Sequence, residues 1–221
     1  MSIGARTGTS RRSPGRALLL LASGLVLTTG ATLVACRSQP AEDFGAPAVT
    51  ALASTAPPSV RVQDGTLPAA AAVDAPTRLR IPALDLDATV DPVGIDAATG
   101  DFAVPPSVDR VGWYRYGPGF SASAGSVVIA GHVDSAEQGD GAFFRLGTLD
   151  AGDPVTLVGP GRQSREFKVV ARERYRKTAI PLDRYFARDG ATRLTLITCG
   201  GPFDAETRHY RDNVVITAEP A

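Results

Sequence analysis

The chain has 221 residues, with 23 basic and 23 acidic side chains, two histidines and two cysteines. Balanced charge with nothing polybasic to track a phosphate backbone argues against a nucleic-acid partner. Two cysteines far apart in sequence give no disulfide framework. No metal-ligand cluster, phosphate loop or cofactor fingerprint stands in the sequence and the acidic residues are scattered, so no cofactor and no metal are expected.

Arg6, Arg11, Arg12 and Arg16 precede an uncharged apolar run over 17–35. At about 1.5 Å per helical residue the run is just long enough to cross a hydrocarbon core of roughly 30 Å. The basic flank favours keeping the N-terminal side in the cytoplasm, which puts everything after Cys36 outside the membrane. The run ends in Leu33-Val34-Ala35-Cys36, which resembles the lipobox of bacterial lipoproteins, where the thiol is acylated and the preceding peptide removed. Two readings therefore stand for 1–36: an uncleaved anchor helix that Cys36 simply ends, and a lipid-anchored protein that begins there. Arg11-Arg12 also suggests a twin-arginine signal, but Pro14 and Gly15 depart from that pattern.

Residues 37–76 are rich in Ala, Pro, Ser and Thr, with hardly any aromatic residue and no sustained periodicity. Such a composition cannot bury enough apolar surface to fold alone and predicts an extended extracytoplasmic tether.

From Thr77 to the end, short runs of Val, Ile, Leu, Phe and Tyr alternate with Gly, Pro and Asp. This is the pattern of an all-β domain of roughly eight strands, best drawn at 78–81, 89–95, 126–130, 154–157, 165–174, 193–198 and 213–217. Pro82, Pro92, Pro105, Pro106 and Pro118 belong to edges, bulges and connections, because each removes a ladder hydrogen bond. A small closed barrel fits this punctuation, and about 145 residues suffice to bury a core without disulfides.

The chemistry centres on Cys199, which closes the apolar run Leu194-Thr195-Leu196-Ile197-Thr198 and precedes Gly200-Gly201-Pro202. With a reference pKa of about 8.5, only a few per cent of such a thiol is ionised near neutral pH, so a neighbour must assist it. His132 is the better candidate, since it follows the apolar strand 126–130 just as Cys199 follows its own. His209 lies in a polar stretch and reads as a surface histidine. A donor is also needed for the oxygen that becomes negative when a thiolate attacks a carbonyl. Arg211, opening the last strand, is preferred to Arg208 in the preceding loop because strands hold side chains more firmly. Taken singly, each has a plainer reading: a strand-capping histidine, a buried small cysteine, an arginine paired with Asp212 or Glu206.

Together, Gly131-His132-Val133-Asp134-Ser135, Thr195-Leu196-Ile197-Thr198-Cys199-Gly200-Gly201-Pro202 and His209-Tyr210-Arg211-Asp212-Asn213 resemble the sortases, most closely the class F actinobacterial type. The resemblance covers 77–221 and implies a closed β-barrel cysteine transpeptidase, membrane-anchored and facing the wall. It further implies an LPXTG-like sorting signal on secreted proteins as substrate, cut between Thr and Gly, with a peptidoglycan precursor, a pilin lysine or water accepting the acyl group. Carried over by motif, Cys199 is the nucleophile, His132 the proton donor to the departing amine and then the base, and Arg211 the ligand of substrate and oxyanion. The segment 173–182 matches the position where sortases recognise the signal. Asp134 either orients His132 or stabilises its turn, and Gly200-Gly201 either admits substrate backbone or only forms a turn.

Two other classes share part of this make-up. An L,D-transpeptidase carries Ser-His-Gly-Cys with arginine soon after, which this chain lacks. A non-catalytic exported β-domain would keep Cys199 as a buried small residue and His132 as a turn residue.

Overall fold

In the computed structural model, residues 41–53, 74–96 and 102–221 are described, and the apolar run at 17–35, Cys36 and much of the tether lie outside them. Among the described residues no helix is long and apolar enough to cross a membrane. Alternating patterning yields ten strands: β1 Arg78–Ile81, β2 Leu86–Val93, β3 Val111–Tyr114, β4 Ser126–Gly131, β5 Asp134–Ser135, β6 Gly139–Asp140, β7 Pro154–Val158, β8 Ser164–Arg176, β9 Arg193–Asp204 and β10 His209–Pro220. Eight of them close a barrel in the order β1-β2-β3-β4-β9-β10-β8-β7, while β5 and β6 form a separate two-stranded ribbon. Among the described residues two short α-helices accompany them, α1 Ala46–Ala53 and α2 Leu182–Tyr185, with three single-turn 3-10 helices. The expected all-β closed barrel of about eight strands with short helical turns is what the chain forms.

Most neighbouring strands are antiparallel, but β2–β3 and β4–β9 run parallel. Residues alternate between the two faces of each strand. Val127, Ile129, Leu194, Leu196, Ile216 and Ala218 point into the barrel and join the main core around Trp113, Phe143 and Phe167. Ile197 and Val215 point outward instead, into a second cluster with Val49, Ala171 and Tyr185. The outer face of β9 and β10 is therefore itself partly covered, by α2 and the connection on either side of it.

β3 is the barrel strand that the pattern did not single out. Its four residues include Gly112, where an added Cβ would lie 2.7 Å from a Val93 methyl and 3.1 Å from Pro105 Cδ, so close packing against β2 and the incoming loop requires the glycine. Pro92 lies inside β2 opposite Trp113. It is tolerated because β1 has already ended there: its register stops at Arg78 opposite Thr89, so the missing N–H faces no strand.

The predicted tether is not extended throughout. Phe44 exchanges two backbone hydrogen bonds with Arg172 of β8 at 2.9 and 3.0 Å, and Asp43 accepts from the Arg174 N–H at 2.9 Å. The Arg172 guanidinium lies over the Phe44 ring and donates to the Glu42 carbonyl at 2.7 Å. Eight helical residues are too few to persist alone. α1 is held by Val49, which is only 1% exposed against Ala171, Tyr185 and Val215, and by the Leu52 carbonyl, which accepts the Ala191 N–H at 3.0 Å. The Ala-rich composition hid this because one buried valine sets no periodicity.

Burying a valine is worth about 1.5–3 kcal/mol. Val49→Asp is expected to detach α1 and lower the melting temperature by about 5 °C or more while leaving the far-ultraviolet β signal intact, as calorimetry and circular dichroism would register.

Candidate active site

The parallel pairing of β4 with β9 matches Val128 to Thr195, Ile129 to Leu196 and Ala130 to Ile197. Two further steps along the same register bring His132 opposite Cys199. The buried Thr198 Oγ1 donates to the Gly131 carbonyl at 2.9 Å, which fixes the two strands to each other one residue before each of these side chains. β9 runs on past Cys199 to Asp204, so the thiol sits within the strand and not at its end as the apolar run suggested. With neighbouring strands about 4.8 Å apart, the imidazole just past the end of β4 stands beside it at the same height. Both follow the outward parity of Ala130 and Ile197. Cys199 is a free thiol of intermediate exposure.

His132 Nε2 lies 2.9 Å from the Pro105 carbonyl oxygen. A carbonyl only accepts, so this contact requires the proton on Nε2 and leaves Nδ1 as the atom free to exchange one. Pro105, read from sequence only as a breaker, thereby sets the histidine tautomer.

Arg211 stands at the same end of the barrel, on the next strand, but outside the regular ladder. Asn213 pairs with Cys199 and Asp212 with Gly200, and Tyr210 then pairs with Phe203, so Gly201 and Pro202 face Arg211 alone across a bulge. Gly201 has φ +73°, a left-handed conformation, and an added Cβ would meet the Asp212 carboxylate at 2.2 Å. The glycine pair is thus demanded by the bulge. Asp212 pairs with Arg176 at 3.6 Å, so neither of the surface partners proposed for Arg211 from sequence is used among the described residues. The guanidinium is exposed.

Two residues of the motifs acquire partners that sequence did not foresee. The Tyr210 hydroxyl donates to the Asp134 carboxylate, joining the start of β10 to the turn after His132. Asp134 therefore braces that turn from β10. His209 sits at the exposed tip of the β9–β10 hairpin opposite Asp204, as its polar surroundings suggested. The segment 173–182 divides: its first four residues complete β8, and the connection to β9 begins at Lys177. Buried Arg193 organises that connection by donating to the carbonyls of Arg184 and Ala191, both at 3.0 Å, and of Asp189 at 3.3 Å.

A closed barrel that presents a free thiol on one strand beside an oriented imidazole at the end of the next has the make-up of a cysteine-dependent acyl-transfer enzyme. The sequence profile of the Sortase domain matches residues 79–221, and the chain belongs to the sortase family of cysteine transpeptidases. Among solved structures it is similar to sortase C-1 from Actinomyces oris, at 20% identity and a TM-score of 0.50 over 66% of this chain and 72% of that one. It is also similar to the Group B Streptococcus Pilus Island 1 sortase C2, at 15% identity and a TM-score of 0.50 over 65% and 72%. Sortase A from Corynebacterium diphtheriae follows at 20% identity and a TM-score of 0.48, over 66% of this chain and 60% of that one. At these identities the structural likeness establishes the fold. A search of curated proteins gave no match. Membership in the family sets aside the L,D-transpeptidase and the non-catalytic domain.

The hydrogen bond to Asp134 pushes the Tyr210 phenol up to about 12, with burial and the charge of Asp134 acting in the same direction. A raised phenol contributes stability that is complete below its ordinary value of about 10 and is lost as pH rises through about 12. Spectrophotometric titration should show one tyrosine ionising near 12, and Asp134→Asn should bring that midpoint down towards about 10.

Proposed function

We propose that this chain is a class F-like sortase, anchored to the membrane by its N-terminal segment with the barrel outside the cell. It cleaves an LPXTG-like sorting signal between Thr and Gly and transfers the acyl group to an amine or to water. The observation that carries this reading is the placement of Cys199 in β9 beside His132 at the end of parallel β4, the two strands tied by Thr198 to Gly131, in a chain of the sortase family. The motif sequences around His132, Cys199 and Arg211 support the class. The uncharged run at 17–35, with its basic N-terminal flank, supports the topology, and Cys36 is either the end of that anchor or a lipid-bearing residue.

Cys199 passes its thiol proton to His132 Nδ1 as Sγ adds to the Thr carbonyl, and the C–N bond to Gly breaks as His132 gives that proton to the departing amine. The acyl group is left as a thioester on Cys199. An incoming amine then loses a proton to His132 as it attacks that thioester, and His132 returns a proton to the departing Sγ, restoring the thiol. Nδ1 is the atom that carries the proton in both directions, because Nε2 is held by the Pro105 carbonyl. Arg211, exposed and without a carboxylate partner in Asp212 or Glu206, extends its guanidinium to the substrate carbonyl and the oxyanion. The connection from Lys177 to Thr192, clamped by Arg193, walls the outward face of β9 and receives the signal peptide.

The protein incubated with a fluorogenic Leu-Pro-x-Thr-Gly peptide should cut it between Thr and Gly. Cys199→Ala should abolish turnover, and His132→Ala and Arg211→Ala should each lower kcat/KM by about 100-fold or more. His209→Ala should leave turnover close to that of the parent chain. Iodoacetamide should label Cys199 faster than a model thiol, and more slowly in His132→Ala. Parent-level turnover in Cys199→Ala would show the mechanism to be wrong.

A further inference from the structure

The side chain directly across the ladder from Cys199 belongs to Asn213 and not to Arg211. Directly opposed residues of an antiparallel pair point to the same face with Cβ atoms about 4.5–5.5 Å apart. Asn213 has the outward parity of Val215, as Cys199 has that of Ile197, and both are of intermediate exposure. On its other flank Asn213 faces Tyr175 of β8, whose hydroxyl is already committed to Glu173 at 2.9 Å. The Asn213 carboxamide makes no hydrogen bond to any of the described residues. His132, just past the end of β4, and Cys199, Asn213 and Tyr175 on β9, β10 and β8 thus form a row, and the only uncommitted neutral donor in that row adjoins the thiol. The bulge that displaces Arg211 begins just beyond Asp212.

We propose that Asn213 is a further catalytic residue of this enzyme, donating a hydrogen bond from Nδ2 to the carbonyl oxygen of the residue that acylates Cys199. The proposal rests on the reading of Cys199 as nucleophile. As the Sγ–C bond forms, the carbonyl π pair moves onto oxygen and the amide donor meets the growing charge. As the C–N bond breaks, the pair returns to re-form C=O and the amine leaves with the proton of His132. Asn213 neither gains nor loses a proton in either step. A donor fixed in a regular ladder needs no reorganisation when charge develops, which is what makes such groups effective. Arg211 brings full charge from an exposed bulge, and Asn213 brings a neutral donor from the sheet itself.

The test compares two reactions of the same thiol in Asn213→Ala and in the near-isosteric Asn213→Leu. Acylation by the Leu-Pro-x-Thr-Gly peptide passes through an oxyanion, whereas alkylation by iodoacetamide displaces iodide and builds none. Single-turnover acylation and kcat should fall about 100-fold in both variants, with KM, the alkylation rate and the melting temperature changed by less than about threefold or a few degrees. Acylation within about threefold of the parent would overturn the proposal. Equal losses in acylation and alkylation would overturn it too, since Asn213 would then be acting on the thiol and not on the oxyanion. Full turnover in Cys199→Ala would instead sink the reading of the nucleophile, a result distinct from either of these.

Discussion

The parallel pairing of β4 with β9 is the constraint on which the site depends. Parallel strands end at the same side of a sheet, so two residues 67 positions apart in sequence can leave the barrel together only if their strands run the same way. An antiparallel partner would have carried the cysteine to the opposite rim. The Thr198 hydroxyl then removes the remaining freedom by bonding the Gly131 carbonyl across the pair. Because Thr198 is buried, that bond is sheltered from water and its loss would strand a carbonyl in the interior.

Around this pair the chain uses buried arginines as staples for irregular backbone. Arg193 gathers carbonyls from the β8–β9 connection, and Arg172 gathers those of Leu149 and Glu42. Burial pushes the Arg193 guanidinium down from its ordinary value. Carbonyl oxygens turned towards it offset part of that cost, since a planar fork of donors can satisfy several at once. The result is a long connection, and a docked N-terminal segment, whose backbones are held by side chains rooted in the sheet.

Much of the barrel was legible because its strands announce themselves by alternation: β1, β4, β7, the first half of β9 and the centres of β8 and β10 lie where the pattern puts them. β3 was not, since Val-Gly-Trp-Tyr is short and its glycine answers to the Val93 and Pro105 side chains, a tertiary demand with no local mark. The ends of β9 and β10 were underestimated for a similar reason: beyond Cys199 the hairpin is polar and exposed, so no burial pattern marks it. Cys199 and His132 could be found because each follows an apolar run, although only His132 lies at a strand end, since β9 continues to Asp204. Tyr210, Pro105 and Asn213 could not, because what matters about them is which residue they face: a carboxylate, an imidazole and a thiol on other strands. Arg211 was found as a residue type and strand position, while its place on a bulge depended on the glycine pair opposite.

The order in which the barrel closes gives the thiol a history as well as a place. The chain must bring its last strand back between β8 and β9, and its register there extends to Pro220 opposite Phe167. Contacts between such distant segments form late, because the loop entropy of joining them must be overcome before they reward it. A polypeptide emerging N-terminus first therefore lacks both of the donors proposed for the site, Asn213 and Arg211, until β10 has appeared and joined the sheet. Until then the proposed nucleophile sits on an unfinished sheet, and in the mechanism proposed above its reactivity comes only with completion of the fold.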